Sequence, residues 1–240
     1  VEKYFYISTR KGLLLRVKEV EDYFTSLNTS LTYCPDSVIR TYMSRVSMSD
    51  KQEKGRFKKS KVRVVSETNH SLRVGLLCRS FVSDMLHAGD SFQNFMYVSG
   101  LLHDIGKQGV PSSILTKACK LTEDEWVIVK NHSKLGADLL ASSLAFHKYA
   151  EVVLHHHERE DGSGYSNNLT SKEICIGSKI LCIVDSFDAM ISKRAYSDAM
   201  NVNHAVEELQ ENSGVLFNKD ICSMFTDFVS NNCKNMFEVG

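Results

Sequence analysis

Residues 103–136 read HDIGKQGVPSSILTKACKLTEDEWVIVKNHSKLG. A His-Asp pair opens the stretch, Gly106 and Lys107 follow at once, and a further histidine, His132, comes near its end. Thr122 and Glu125 form a T-x-x-E pattern ahead of an apolar run. This is the reciprocal capping arrangement that opens a helix, here expected to run through about Ala141. Upstream, a helix from Ser91 to about Asp104 is expected to carry the His-Asp pair at its end, with Gly106 placed to terminate it.

The helical pattern extends in both directions. Leu77, Phe81 and Met85 mark one face of a helix near 66–87. Thr170 and Glu173 repeat the T-x-x-E signal before a helix bearing Ile176, Ile180 and Val184. Asn203 is placed to cap a helix through about Glu211, with Gly214 beyond its end, and a last helix is expected over about 219–231. Only 2 prolines and 13 glycines in 240 residues suit helices better than a β-sandwich, so the fold class is all-α. Residues 1–55 differ. Arg10-Lys11-Gly12 between two apolar runs suggests a short hairpin, and Val38, Ile39, Tyr42, Met43 and Val46 fall at helical spacing after Pro35. This part is expected to be an N-terminal appendage, α/β in character, either a structural cap or a truncated sensor module. Residues 56–240 are expected to form the main domain. The opening residue, Val1 rather than Met, is what a piece of a longer protein would show.

Composition narrows the function classes. A hydrophobic content of 42% supports a sizeable core and excludes global disorder. With 29 Lys+Arg against 29 Asp+Glu the formal charge is zero, which argues against a polybasic nucleic-acid coat. The basic run Lys51, Lys54, Arg56, Lys58, Lys59, Lys61 and Arg63 reads better as a solvated linker or helix face than as an RNA contact. No apolar run approaches the roughly 18 residues of a membrane span. Seven cysteines, none in a CxxC pair, fit reduced thiols in a cytoplasmic protein.

The chemistry lies in the histidines. His70, His103-Asp104, His132, the His155-His156-His157-Glu158 tract and Asp185 come from separate segments. Only a folded bundle with these side chains turned inward could unite them. Imidazole and carboxylate donors suit Mn, Fe, Zn or Ni, and the absence of cysteine from these motifs argues against a closed structural zinc site. Asp104 is the natural bridge between two cations. Two cations about 3.5–4 Å apart would clamp a phosphate and acidify a bridging water. Lys107, one helical turn from His103 and Asp104, would lean to the same side, where phosphate oxygens bind.

In its ordered motifs the chain resembles the HD-GYP family of metal-dependent phosphohydrolases over roughly residues 65–230. HDIGKQGVPSSILTKACKLTEDEW and VKNHSKLGADLL look like the family's HDIGK region and the helix after it. HHHEREDGSGYS resembles its HHExxDGxGYP signature, IVDSFDAMISKRAY the next helix, and NSGVLFNKD a late segment. The resemblance implies an HD-domain helical bundle that hydrolyses a cyclic dinucleotide, cyclic di-GMP or 3′,3′-cyclic GMP-AMP, to a linear dinucleotide in bacterial second-messenger signalling. It implies one metal site of His70, His103, Asp104 and Asp185, and another of Asp104, His132, His156 and His157. Fe or Mn stand foremost, with Ni and Zn open. Asp104 and Lys107 are then expected to carry catalysis through a bridging hydroxide, and Lys107 and Arg194 match the family positions that face substrate phosphates. A partner protein at the Gly164-Tyr165 loop and a homodimer are further expectations.

The sequence departs from the family in several places. Gly164-Tyr165-Ser166 lacks the signature proline, and Arg194-Ala195-Tyr196-Ser197 loses a proline and a second cation. Phe217-Asn218-Lys219 replaces Phe-Asp-Pro. Ser66 occupies the position where some members place an additional metal-binding Glu, and Glu67 is one residue out of register, so two metals are expected and not three. These departures leave room for an inactive or weak receptor of cyclic dinucleotides. A phosphohydrolase acting on other nucleotides is disfavoured by the GSGY segment. Asp188 is expected to support by hydrogen bonding, not to ligate. Glu158, Arg159 and Asp161 either orient the histidines or pin the following loop, and Gly162, Gly164 and Tyr165 set its shape. Trp126 is expected to be a packing residue, and His87, His147, His155 and His204 structural or surface groups.

Overall fold

The computed structural model describes residues 58–117, 119–192 and 200–236, with side chains from residue 70 to 232 within those spans. The hairpin and helix expected in residues 1–55 lie outside the described residues. Among the described residues the protein is helical. The described residues contain no strand, only isolated bridges pairing Asp161 with Thr170 and Ser213 with Phe217.

The order is α1 (Lys58–Asp84), α2 (Asp90–Leu102), a 3₁₀ segment (Ile105–Gly109), α3 (Ser112–Leu115), α4 (Glu123–Lys130), α5 (His132–Ala141), a 3₁₀ turn (His147–Tyr149), α6 (Ala150–Leu154), α7 (Ile176–Ile191), α8 (Val202–Glu211) and α9 (Lys219–Met236). Helix α7 is apolar nearly all round and therefore sits centrally. Ile180, Leu181, Ile183, Val184 and Phe187 are all buried, and Asp185 and Asp188 are buried with them. It packs against α1, α2, α6, α8 and α9. Phe81 of α1, Phe187 of α7 and Phe225 of α9 meet edge-to-face at 5.3–5.4 Å, the interlock of the main core. A second cluster, Tyr97, Val98, Leu140, Phe146, Tyr149 and Val153, holds α2, α5 and α6 together.

Several boundaries depart from the sequence reading, each for a local reason. The Thr122–Glu125 capping box forms as expected, with both reciprocal hydrogen bonds. The helix it opens is interrupted at Asn131, however, and does not run unbroken to Ala141. His132 Nδ1 takes the carbonyl of Val129 and Ser133 Oγ takes that of Lys130, so side chains occupy acceptors that main-chain N–H groups would use in a continuous helix. Thr170 and Glu173 do pair, through bonds of 2.9 and 2.7 Å to one carboxylate oxygen. They close a turn, and α7 starts later, after Cys175. The cap of α8 is Asn201, whose side chain accepts from the Asn203 backbone. Helix α1 begins earlier than expected and α9 ends later.

Two close approaches set the geometry of the end that carries His103 and Asp104. A Cβ on Gly100 would lie 2.6 Å from the Gly75 Cα, so α1 and α2 cross there in near backbone contact. Gly106 was expected to stop a helix, but α2 has already ended at Leu102 and the glycine serves packing instead. A Cβ on it would stand 1.9 Å from the His132 carbonyl and 2.5 Å from the Gly136 amide. The contact lets the segment after His103-Asp104 lie directly on α5. Gly106→Ala should therefore destabilise the protein by about 3 kcal/mol, at the high end of overpacking costs. Urea unfolding checks this, and a variant within 0.5 kcal/mol of wild type, roughly the span of ordinary surface substitutions, would contradict it.

Candidate metal centre

Seven side chains named from the sequence converge at this end of the bundle. His70 comes from α1, His103 caps the end of α2, Asp104 follows it, His132 opens α5, His156 and His157 follow α6, and Asp185 comes from the middle of α7. His103 and His156 are fully buried, His132 and Asp104 nearly so. The rings form a chain at centroid distances of 5.1 Å (His70–His103), 5.3 Å (His103–His156) and 5.0 Å (His132–His157).

The ring orientations are set by hydrogen bonds on the far nitrogen. Nδ1 of His103, His132 and His156 lies 2.7, 2.7 and 2.6 Å from the carbonyls of Gly100, Val129 and Val153. A carbonyl can only accept, so each Nδ1 carries the proton and donates. In the neutral form of each ring Nε2 keeps its lone pair, facing inward. Burial opposes charge on His103, but without a metal Asp104 and Asp185 outweigh it, favour the protonated form and raise it to about 10. Those three Nε2 atoms and Asp104 Oδ1 are buried without a hydrogen-bond partner. Buried polar atoms are rarely left so. Cations held among them would satisfy these atoms, so the donor set fits metal.

The donors divide into two groups, each with ligand atoms within 4.8 Å of one another: His70, His103 and Asp104, and His132, His156 and His157. Asp104 faces both. Its Oδ2 lies 3.3 Å from His103 Nε2 and 3.8 Å from His70 Nε2, and its Oδ1 lies 3.4 Å from His132 Nε2. Asp185 Oδ1 lies 3.1 Å from His70 Nε2 and 3.6 Å from His103 Nε2, on the first group's side.

Charge follows this division. Burial, then the neighbouring His157, His103 and His132, hold His156 well below the ordinary imidazole range. Burial also lowers His132, and it pulls His157 down to about 3 against the opposing pull of Asp185. The second group is thus three neutral imidazoles. Burial would raise the carboxyls of Asp104 and Asp185, but Lys107 and His103 outweigh it at the first, and His103 and His70 at the second. Both stay ionised far below neutral pH.

Lys107 pairs through Nζ with Asp104 Oδ2 and is a quarter exposed, at the border between site and solvent. Arg194 lies outside the described residues. Asp188 supports as expected: it accepts from His70 Nδ1 at 2.7 Å. The sequence reading did not single out Arg73, which sits one turn after His70 and donates to both Asp188 oxygens at 2.7 and 2.9 Å. That spacing on α1 was the available signal. Glu158 pins the following loop, accepting from the Asn167 and Leu169 amides at 2.6 and 3.0 Å. Asp161 accepts from the Ser163 amide, Arg159 lies over the Phe217 ring, and Gly162 takes φ +78°. Tyr165 lays its ring 4.7 Å from that of His157. His155 joins neither donor group; His87, His147 and His204 are exposed. Trp126 is not the packing residue expected, because it faces solvent at 48% exposure, beside Val127 and Ile128.

Comparison with known proteins identifies the family and the fold. A family model described as an HD domain matches residues 56–221. A cyclic di-GMP phosphodiesterase of Thermotoga maritima is 36% identical, over 69% of this chain and 45% of its own length. A 3′3′-cGAMP-specific phosphodiesterase of Vibrio cholerae is 33% identical, over 66% of this chain and 30% of its own. The chain thus spans less than half the length of these curated relatives. Among solved structures, an HDGYP protein from Bdellovibrio bacteriovorus shares the fold at a TM-score of 0.56 and 14% identity, over 81% of this chain and 62% of its own. The HD domain of a Listeria monocytogenes phosphodiesterase does so at 0.50 and 17% identity, over 72% and 93%.

The Asp188 contact gives a pH-dependent expectation. Burial opposes ionisation of Asp188, but His70 and Arg73 outweigh it and hold the carboxyl below its ordinary value. A carboxyl lowered on folding stabilises above its unfolded value, about pH 4, and loses that contribution as pH falls through the folded value. Asp188→Asn should cost about 1.5 kcal/mol at neutral pH, discounted because Arg73 is partly exposed. The gap should close below about pH 4. Urea unfolding at several pH values checks this, and a gap independent of pH contradicts it.

Proposed function

The chain belongs to the HD-domain family, and on that premise we propose that it is a metal-dependent phosphodiesterase that opens a cyclic dinucleotide to a linear one. The observation that carries the reading is the set of buried Nε2 atoms on His103, His132 and His156 that, with Asp104 Oδ1, lack a hydrogen-bond partner. His70, His103, Asp104 and Asp185 would hold one cation, and Asp104, His132, His156 and His157 the other. Two divalent ions so held supply an acidified water and offset charge on a phosphate.

The protein's own groups do the rest. Asp104 offers one oxygen to each side, so it fixes the spacing of the two sites. Lys107 is close enough to pair with Asp104 and open enough to reach solvent, so its ammonium can hold a non-bridging phosphate oxygen and offset charge gained in the transition state. Arg194 is proposed as a second cation for the substrate phosphates. The substrate class comes from the curated relatives, named for cyclic di-GMP and for 3′3′-cGAMP. Either dinucleotide fits the reading. Fe or Mn suits the nitrogen and oxygen donors, with Ni and Zn also compatible.

Ser166, Ala195 and Ser197 favour a second reading, a receptor that binds the dinucleotide without cutting it. Metal analysis paired with product chromatography on cyclic di-GMP and 3′,3′-cyclic GMP-AMP separates the two. The proposal expects bound divalent metal and a linear product from one of them. Asp104→Ala should keep the fold by circular dichroism and lose about 10³-fold in turnover, equivalent to about 4 kcal/mol of transition-state stabilisation. Wild-type rates in that variant would end the hydrolase reading, and bound dinucleotide recovered uncut would favour the receptor.

A further inference from the structure

Ser166 stands where the resembled signature ends in proline, and the structure gives its side chain a partner. Its hydroxyl lies 2.7 Å from that of Ser133. Ser133 is fully buried, immediately after His132. It donates its own proton to the Lys130 carbonyl at 3.2 Å. A hydroxyl has one proton, so Ser166 must be the donor between the two. The result is a short relay from Ser166 through Ser133 to the main chain at the end of α4.

The two ends of this relay belong to different parts of the His132–His156–His157 group. Ser133 lies in the first turn of α5, which begins with His132. Ser166 lies on the loop that leaves His156-His157, separated from Ser133 by 33 positions. On that loop the Tyr165 amide donates to the His157 carbonyl at 3.2 Å. The Tyr165 ring also faces both His157 and His132, at 4.7 and 6.4 Å. We propose that Ser133 and Ser166 are a positioning pair whose hydrogen bond fixes His132 against His156 and His157 and thereby sets the affinity of that half of the centre for its cation. The pair makes this contact at the position where the resembled signature has proline. The inference rests on the two-cation reading above.

The test titrates Mn²⁺ into the metal-stripped full chain, following free ion by electron paramagnetic resonance. Wild type should take up two equivalents. In Ser133→Ala and in Ser166→Ala one equivalent should weaken by about tenfold, the lower range for groups that orient ligands, while the other is unchanged. The double variant should be no weaker than either single one, because either change already breaks the bond. Ser166→Thr, which keeps a hydroxyl, should restore wild-type uptake. Unchanged uptake, equal weakening of both equivalents, or additive losses would overturn the pair's role. Hydrogen exchange at the amides of residues 163–167 gives a readout independent of metal. Exchange should be equally faster in both Ala variants of the stripped chain, and wild-type exchange would overturn the tether. A wild type that takes up one ion or none overturns the two-cation reading, and exchange alone then decides whether the hydroxyls hold the loop.

Discussion

A histidine whose Nδ1–H is committed to a main-chain carbonyl has no choice about its other nitrogen. His103, His132 and His156 all make that commitment, each to the residue three positions back. Each stands at or just past the end of a helix: α2, α4 and α6. The last carbonyls of a helix have no main-chain donor. A histidine placed there satisfies one of them, and in doing so turns its Nε2 lone pair away from the helix. One hydrogen bond therefore both finishes a helix and aims a ligand. The helix ends converge, so the lone pairs do too. Leaving such atoms buried without partners costs on the order of 1–3 kcal/mol each, an expense that a bound cation would remove.

The two aspartates complement this from the other side. Asp185 rides on α7, the most enclosed helix, so its position is fixed by the core around Ile180, Val184 and Phe187. One turn along the same helix, Asp188 accepts from His70 and from Arg73. His70 thus obtains from a carboxylate what the other histidines obtain from carbonyls. Asp104 enters differently, on a segment that Gly106 allows to lie against α5. Its two oxygens reach two histidine groups because the 3₁₀ segment that follows it lies directly on α5. The Ser133–Ser166 contact extends the same logic to the loop after His157.

How legible all this was in the sequence depends on the kind of interaction. The apolar spacing of Leu77, Phe81, Ile180 and Val184 gave the helices, since burial on one face leaves a regular trace. The histidines and aspartates were legible as an ordered set of motifs. The interrupted helix at Asn131 was not, because the T-x-x-E signal marks only a start and the side-chain competition at His132 and Ser133 depends on tertiary direction. Gly106 was read by local rule as a helix stop, whereas its reason is a contact with His132, distant in sequence. Arg73 and the Ser133–Ser166 pair are long-range partners with no local pattern beyond residue type. Trp126 was misjudged because a capped first turn does not say which face meets the core.

The central claim is that the two histidine groups hold two cations with Asp104 between them. Anomalous diffraction from crystals of the Mn²⁺-loaded protein tests it most directly. The account predicts two peaks about 3.5–4 Å apart, one among His70, His103 and Asp185, the other among His132, His156 and His157, with an Asp104 oxygen on each. A single peak, or density at some other part of the molecule with these Nε2 atoms left bare, would contradict it.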